Sequence, residues 1–507
     1  IKQLKKTGNM SETREIESYI KKICHKLNMK QQNLLITIAY YSLAGNRFSS
    51  YLLGKYNSNC TKRNLIELSD NGLIDYNAKT GLIIIQEYFS EIIRTIYEDN
   101  RFEICNSLYF MIDKREEKNE NKLIFLLLSD LEIISQEKLL TYLSDLLLHR
   151  EYLFLIYLFE LLDDFHKLNR CYDSKDVRIK LLYCYIHSLL ELGEYVKAQD
   201  YINCSDAWNN DINLKHIDST LEFNINFDLA DMDHFFGNFE LAIDSYIKLK
   251  NYNISEENLI KCNWAIGHCY RHLGDLYSLN IALSCFKNII KEKKQLNSSY
   301  YIRAYQSLIL TKLYLNDTEY NYHEAFSEMI KFLEIRDKKR INEILTSRQY
   351  AIFHRIILHD NATALDILFA ALEELEIIGV RIKYDYYFEI GETLRHKFVA
   401  QRNESDIFDS LMYYNKALEF ADKSGDISLK CISQIGIILC HIITNDISSD
   451  DLNIILEICD FCSNKKIAYI FNYAYQIKEY LLNDIYLQSK DIDSVQCELM
   501  NMNLFIF

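Results

Sequence analysis

Residues 223–291, FNINFDLADMDHFFGNFELAIDSYIKLKNYNISEENLIKCNWAIGHCYRHLGDLYSLNIALSCFKNIIK, write one helix-turn-helix unit twice. In the first copy Leu229 and Ala230 are followed by Gly237, Ala242, Tyr246 and Leu249; in the second, Ile266 and Gly267 are followed by Tyr270, Gly274, Ala282, Phe286 and Ile289. Small residues recur where two antiparallel helices must touch, and a glycine falls in the turn. A large residue one turn past each alanine, Tyr246 or Phe286, is placed to fill the gap between neighbouring hairpins.

This order of residues resembles the tetratricopeptide repeat. It departs from it at Asp233, where the family usually has an aromatic residue, and in three extra residues between Gly274 and Ala282. Working outward, residues 179–202 match through Gly193, Ala198 and Ile202, and residues 300–335 through Ala325, Met329 and Phe332. Residues 384–421 match through Ile390, Gly391, Leu394, Ser410, Tyr414 and Ala417, while 429–486 keep the helical period and lose the signature. Two runs, KLIFLLLSDLEIIS (122–135) and YLSDLLLHREYLFLIYLFELLDDF (142–165), are apolar all round and need cover on both faces. The expectation for 101–507 is an α-solenoid of roughly ten or eleven helical hairpins with a long exposed concave wall.

The front of the chain reads differently. Residues 1–30 hold a connecting helix with Ile16, Tyr19, Ile20, Ile23 and Leu27 at helical spacing. Residues 31–100 give a helix through Leu35, Ile38 and Ala39, a turn at Ala44–Arg47, and helices at Tyr51–Lys55 and Thr61–Asp70. A β-hairpin then turns at Lys79-Thr80-Gly81. Three helices and a hairpin spell a winged helix, and "SLAGNRFSSYLL" with "LIELSDNGLIDYNAKTGLIIIQEYFSEIIRTIYED" resembles the module that follows the nucleotide-binding core in STAND NTPases. Gln86 and Glu87 stand where that module has His-Pro, so no nucleotide-sensing histidine is assigned. The expected fold class is therefore all-α, a winged-helix module followed by the solenoid.

Composition narrows the function. The chain has 507 residues, 49% hydrophobic and 25% charged, enough for ample core. Its net charge is -15, with 57 Lys and Arg against 72 Asp and Glu, although residues 1–100 alone hold 14 against 10. Nucleic-acid binding needs clustered cations, and only Lys55, Lys62 and Arg63 approach that, so we do not expect it. Fourteen scattered cysteines suit a reducing cytoplasm. We find no signal peptide and no uninterrupted apolar run of membrane-spanning length. Proline is absent where average usage of about 5% would give roughly 25, so helices must end by other means, and 13 glycines are few for that. The chain opens on Ile1 rather than Met, which suits a fragment.

Chemical motifs are scarce. The sequence has neither Gly-x-x-x-x-Gly-Lys-Ser/Thr nor Gly-x-Gly-x-x-Gly, so no nucleotide cofactor and no enzymatic activity is expected of this chain. ATP and magnesium are expected only on a domain upstream. His268 and His272 lie four apart on one helix face, but no second ligand pair has zinc-like spacing, and no metal is expected. Cys459 and Cys462 read as buried thiols.

What remains is recognition. In the resembled repeat the first helix of each hairpin lines the groove, which assigns to it Lys180, Tyr183 and His187, then Asn224, Phe227, Asp231 and His234. Lys261, Trp264, His268 and Arg271 follow, and then Asp385, Phe388, Glu392 and Arg395. Aromatic and arginine anchors dominate protein interfaces, so the expected partner is a protein or peptide. A one-residue shift of register would instead put Trp264 and Phe227 in the hairpin core. The resemblance implies the sensing half of a STAND NTPase, a family whose bacterial members include antiviral sensors of phage proteins. In it a captured trigger releases the winged helix and permits homo-oligomerisation. The alternative is a peptide-gated transcriptional regulator, with Thr61, Lys62, Arg63 and Asn64 opening a recognition helix.

Overall fold

The computed structural model describes residues 10–44, 47–54, 57–112, 136–149, 151–164, 175–204, 219–252, 254–292, 299–333, 339–378, 382–486, 496 and 498–505. The chain divides into two compact units, residues 1–178 and 179–507.

In the first unit α1 (Met10–Lys26) is followed by α2 (Met29–Tyr41). The Asn28 side chain accepts from the backbone of Lys30 and Gln31, and the Gln31 side chain accepts in return from the Asn28 N–H, which fixes the start of α2. Then come β1 (Arg47–Ser49), α3 (Ser50–Gly54), α4 (Lys62–Asp70), β2 (Asp75–Asn77), β3 (Leu82–Ile84), α5 (Glu87–Ile96) and α6 (Arg101–Ile112). The order agrees with the reading of 31–100 except for β1, expected as a turn and found as a third strand antiparallel to β3. Three residues are too few to show the two-residue alternation that marks a strand in sequence. Helix α2 is buried along almost its whole length through Leu34, Leu35, Ile38, Ala39 and Tyr40. Asn57 pins it by donating to Asn33 Oδ1 and Thr37 Oγ1, both at 2.8 Å, and Arg94 of α5 donates to the Ala39 carbonyl at 2.9 Å.

Helices α7 (Gln136–Leu148) and α8 (Tyr152–Asp164) also fall in this unit, so the division does not coincide with the expected junction near residue 100. Tyr157 of α8 donates to the Leu43 carbonyl at 3.2 Å, which ties this helix to the small sheet-bearing module. The apolar run 122–135 lies outside the described residues.

The second unit is a stack of helical hairpins: α9 (Lys175–Glu191) with α10 (Tyr195–Cys204), α11 (Ser219–Phe235) with α12 (Phe239–Lys250), and α13 (Glu256–Leu273) with α14 (Leu276–Glu292). It continues with α15 (Ser299–Tyr314) and α16 (Tyr322–Leu333), α17 (Lys339–Ile356) and α18 (Asn361–Ile378), and α19 (Lys383–Gln401) and α20 (Glu404–Ser424). Helices α21 (Ile427–Thr444) and α22 (Ser449–Lys465) form the last pair, and α23 (Ala468–Tyr486) follows alone among the described residues. Seven hairpins are described here against the ten or eleven expected over 101–507, because the spacing is longer than assumed and the helices before residue 165 belong to the first unit.

The register of small residues holds. Ala230, Ala242, Ala282, Ala417 and the large residues Tyr246, Phe286 and Tyr414 are all buried to within 1%. Tyr414 shows why small residues are needed: a β-carbon at Gly391, on α19, would stand 3.1 Å from its ring, and one at Gly436, on α21, would stand 2.5 Å from it. The ring is thus gripped between two successive first helices, and the signature persists into 427–444, where the sequence appeared to have lost it. Helix ends are closed by Gly274 and Gly425 in the left-handed conformation, but also by Arg402, Asn445 and Lys466. Charged side chains therefore take the cap position that the scarce glycines leave unfilled, at the strain cost of a β-carbon there.

The expectation of a long open wall is corrected. The stack curls until turns far apart in sequence meet. A β-carbon on Gly274 would lie 2.5 Å from Tyr469 Cβ, and one on Gly425 would lie 2.8 Å from Val196. Lys466 Nζ reaches Glu240 at 2.8 and 2.9 Å. Much of the inward face is in consequence sealed. Helix α21 is long and apolar enough to cross a membrane, a mean hydropathy of 1.7 over 18 residues, yet 67% of it is buried in this unit. The sequence-level search for uninterrupted apolar runs missed it because Ser428, Lys430 and His441 interrupt it.

Candidate functional site on the inner wall

The first helices α9, α11, α13 and α15 carry a strip of polar and aromatic side chains in which partly exposed groups rest on buried ones. It starts with Lys180, whose Nζ lies 5.4 Å from the centre of the Tyr183 ring, and Tyr183 stacks on His187 at 5.4 Å. His187 Nδ1 meets Asp228 Oδ2 at 2.9 Å; burial pulls the imidazole down, but Asp228 outweighs it and the pKa is raised. Lys261 Nζ sits 3.6 Å over the Phe227 ring, and although burial opposes its charge, Tyr300, Asp228 and Asp231 raise its pKa. Tyr246 donates to Asp231, whose carboxyl is pushed up to about 7 by burial against the pull of Lys261. Trp264 Nε1 donates to Ser307 at 3.3 Å, and the Arg303 guanidinium lies 5.5 Å from the Trp264 ring and 5.1 Å from Tyr300.

Further along, the same helix positions form a dry ladder. Arg348 contacts Glu389 at 3.2 Å and Asp385 at 3.5 Å, Arg355 contacts Glu389 at 3.0 Å, and Arg395 contacts Glu392 at 2.8 Å. Burial raises Glu389 beyond what Arg355 and Arg348 return. Burial would raise Glu392 too, but Arg395 and His396 hold it well below the usual carboxylate range. His396 is driven down to about 4 by burial and by Arg395.

The stretch Met500 to Phe505 of this same chain lies on that ladder. Arg395 donates to the carbonyls of Met500, at 2.8 Å, and Met502, the Leu504 N–H donates to Glu392 at 2.7 Å, and Tyr473 donates to the Asn503 carbonyl at 2.9 Å. Phe505 meets Tyr314 edge-on at 5.3 Å. The four hydrogen bonds read backbone rather than side chains, as a polypeptide-binding groove does.

The predicted residues thus separate. Lys180, His187, Asn224, Asp231, Lys261, Trp264, His268 and Asp385 are partly exposed, as a groove position requires. Tyr183 is buried within the aromatic strip. Phe227 and Phe388 are core, packed on Tyr246 and Tyr414, and His234, Glu392, Arg395 and Arg271 are sealed inside, so these and Tyr183 are corrected as groove-exposed positions. In a curled stack the first helix has neighbours on nearly every side, so a three-to-four spacing does not identify the wet face. Arg271 lies near Arg348, and burial with that like charge brings it down to about 9.

His234 and His268 meet His272, and one ring nitrogen from each of the three lies within 4.8 Å of the other two. Sequence reasoning had His268 and His272 but looked for further ligands by spacing along the chain, and His234 comes from the hairpin before. Asp228, Arg303, Arg348 and Glu389 were missed for a related reason: each gains meaning only from a partner on the adjacent hairpin. Eleven described cysteines are free thiols, Cys459 and Cys462 among them.

No protein-family model matches the chain, and no curated protein matches it. Among solved structures, a Rap protein complexed with competence and sporulation factor is similar with a TM-score of 0.45 and 14% identity, over 72% of this chain and 98% of that one. A signal transduction ATPase with numerous domains (STAND) with a tetratricopeptide repeat sensor, from Pyrococcus horikoshii, is similar with a TM-score of 0.31 and 13% identity, over 94% of this chain and 63% of that one. The chain spans less than two thirds of the STAND protein's length.

Proposed function

We propose that this chain is a sensing and relaying half of a signal-transducing STAND NTPase, in which the inner wall of the hairpin stack binds a polypeptide trigger. The observation that carries the reading is the backbone of residues 500–504 held by Arg395, Glu392 and Tyr473 beside a partly exposed strip of Lys261, Trp264 and Arg303. One part of this wall holds polypeptide and the adjoining part has the aromatic and cationic anchors to do so. The first unit, with its helices α2 to α4 and three-stranded sheet, is then a winged helix acting as a structural relay to homo-oligomerisation. ATP and magnesium belong to a domain upstream, the setting is cytoplasmic, and a phage protein is the proposed class of trigger. Duplex binding is disfavoured because Arg63 is engaged by Glu67 at 2.9 Å, leaving few cations on α4; Lys55 lies outside the described residues.

The test is crosslinking capture from phage-infected cells with the parent chain and with Trp264→Ala and Arg303→Ala. A defined protein held by the parent and lost by both variants is expected. Equal retention by all three would move the site off this strip.

A further inference from the structure

We infer that His234, His268 and His272 form a binding site for a divalent transition metal of the zinc class, inside the stack between the hairpins α11–α12 and α13–α14. Three imidazoles converge from two helices, two of them one turn apart on α13, and one ring nitrogen from each lies within 4.8 Å of those of the other two. One edge of the site is already at coordination length. His268 Nδ1 and His234 Nε2 are 3.2 Å apart, and two nitrogens each about 2.0–2.1 Å from a tetrahedral zinc stand about 3.3 Å apart.

The outer contacts suit the same role. His234 presents Nε2 to the site while its Nδ1 meets Cys269 Sγ at 3.2 Å, the second contact by which a metal-bound imidazole is held in one tautomer and orientation. Phe239 stacks on His272 at 4.9 Å and Trp264 lies against His268 at 4.9 Å, so rings on two sides fix the planes of the imidazoles and exclude water. Three imidazoles and no bound carboxylate or thiolate select zinc, nickel or copper over magnesium or calcium. Three protein ligands leave a tetrahedral ion one open position. Because Trp264 also belongs to the anchor strip, occupancy of this site would stiffen the wall where the trigger is proposed to dock.

The full chain, stripped of metal by chelation, is titrated with zinc and separately with cobalt(II), whose tetrahedral complexes absorb visibly. One zinc per chain, a visible cobalt band and a rise in Tm on zinc addition are expected. His268→Gln, His272→Gln and His234→Asn should each weaken zinc binding by at least about tenfold. Three single variants are used so that loss of fold in one, detected by circular dichroism, leaves two to decide. The proposal is overturned by a parent chain that takes up no zinc and shows no cobalt band, or by stoichiometric binding that persists unchanged in the folded variants.

Discussion

From α9 to α15 the inward side chains are Lys180, His187, Lys261, Trp264 and Arg303, all partly exposed; on α17 and α19 they are Arg348, Arg355, Glu389, Glu392 and Arg395, all buried. Both sets occupy the first helices of successive hairpins. The first set meets ring faces and, through His187, the Asp228 carboxylate, with its own heads partly in water, so a ligand could exchange part of these contacts. The second set is committed, since each charge has lost water and depends on its neighbour for compensation. Sequence position alone therefore does not distinguish a recognition wall from an internal brace. Curvature does, by deciding which part of the wall is covered.

The sharpest way to break this contrast is Arg395→Ala. It leaves Glu392 charged, buried and without its main partner, and should cost about 3–5 kcal/mol in chemical denaturation. A loss below 1 kcal/mol would mean the ladder is no more committed than the strip. Next in size is Gly436→Ala, whose β-carbon would stand 2.5 Å from the Tyr414 ring; overpacking there should cost about 1–3 kcal/mol. Ala282→Leu, at a helix crossing between earlier hairpins, should fall in the same range, and if both variants melt with the parent the small-residue register is wrong.

Asp231 sharpens the comparison through pH. Its carboxyl is raised to about 7 in the folded chain, above its ordinary 3.8, so the native state holds a proton that the unfolded state has released. Stability from this group is present at low pH and is lost as pH rises through 7, by roughly 1 kcal/mol between pH 6 and 8. Asp231→Asn should remove that part of the slope, and an unchanged slope would show the carboxyl to be better solvated than its surroundings imply. The smallest effect belongs to Arg303→Ala: a change in stability within about 0.5–1 kcal/mol, the worth of a partly exposed cation over a ring. A larger loss would place Arg303 with the braces.

The hairpins were legible because close helix crossings tolerate little variation: Gly267, Ala242 and Ala282 must be small, and Tyr246 and Phe286 must fill what the small residues leave. Strand β1 was not, because three residues carry no period. The site was half legible. Lys261 and Trp264 could be assigned from spacing, whereas Phe388 and Arg395 obey the same spacing and lie in the core. What separates them is contact across more than 100 residues, such as Arg395 with Met500, and nothing local encodes it. His234 joined His268 and His272 by the same route, from one hairpin to the next. With no proline and few glycines to end its helices, the chain uses Arg402 and Lys466 in left-handed geometry, which shows that tertiary packing can hold an unfavourable residue at a helix end.

The meeting of Lys466 with Glu240 and of Tyr469 with Gly274 changes what kind of polymer this is. An open repeat array is quasi-one-dimensional: each unit feels only its neighbours, ends fray first, and units are gained or lost with little consequence. Contacts spanning 226 residues remove that freedom. Its folding should be slowed by high contact order and unfolding of the stack should be all-or-none rather than progressive from the ends. Duplicating or deleting one hairpin would carry the late turns past their early partners, so the number of repeats is fixed by closure.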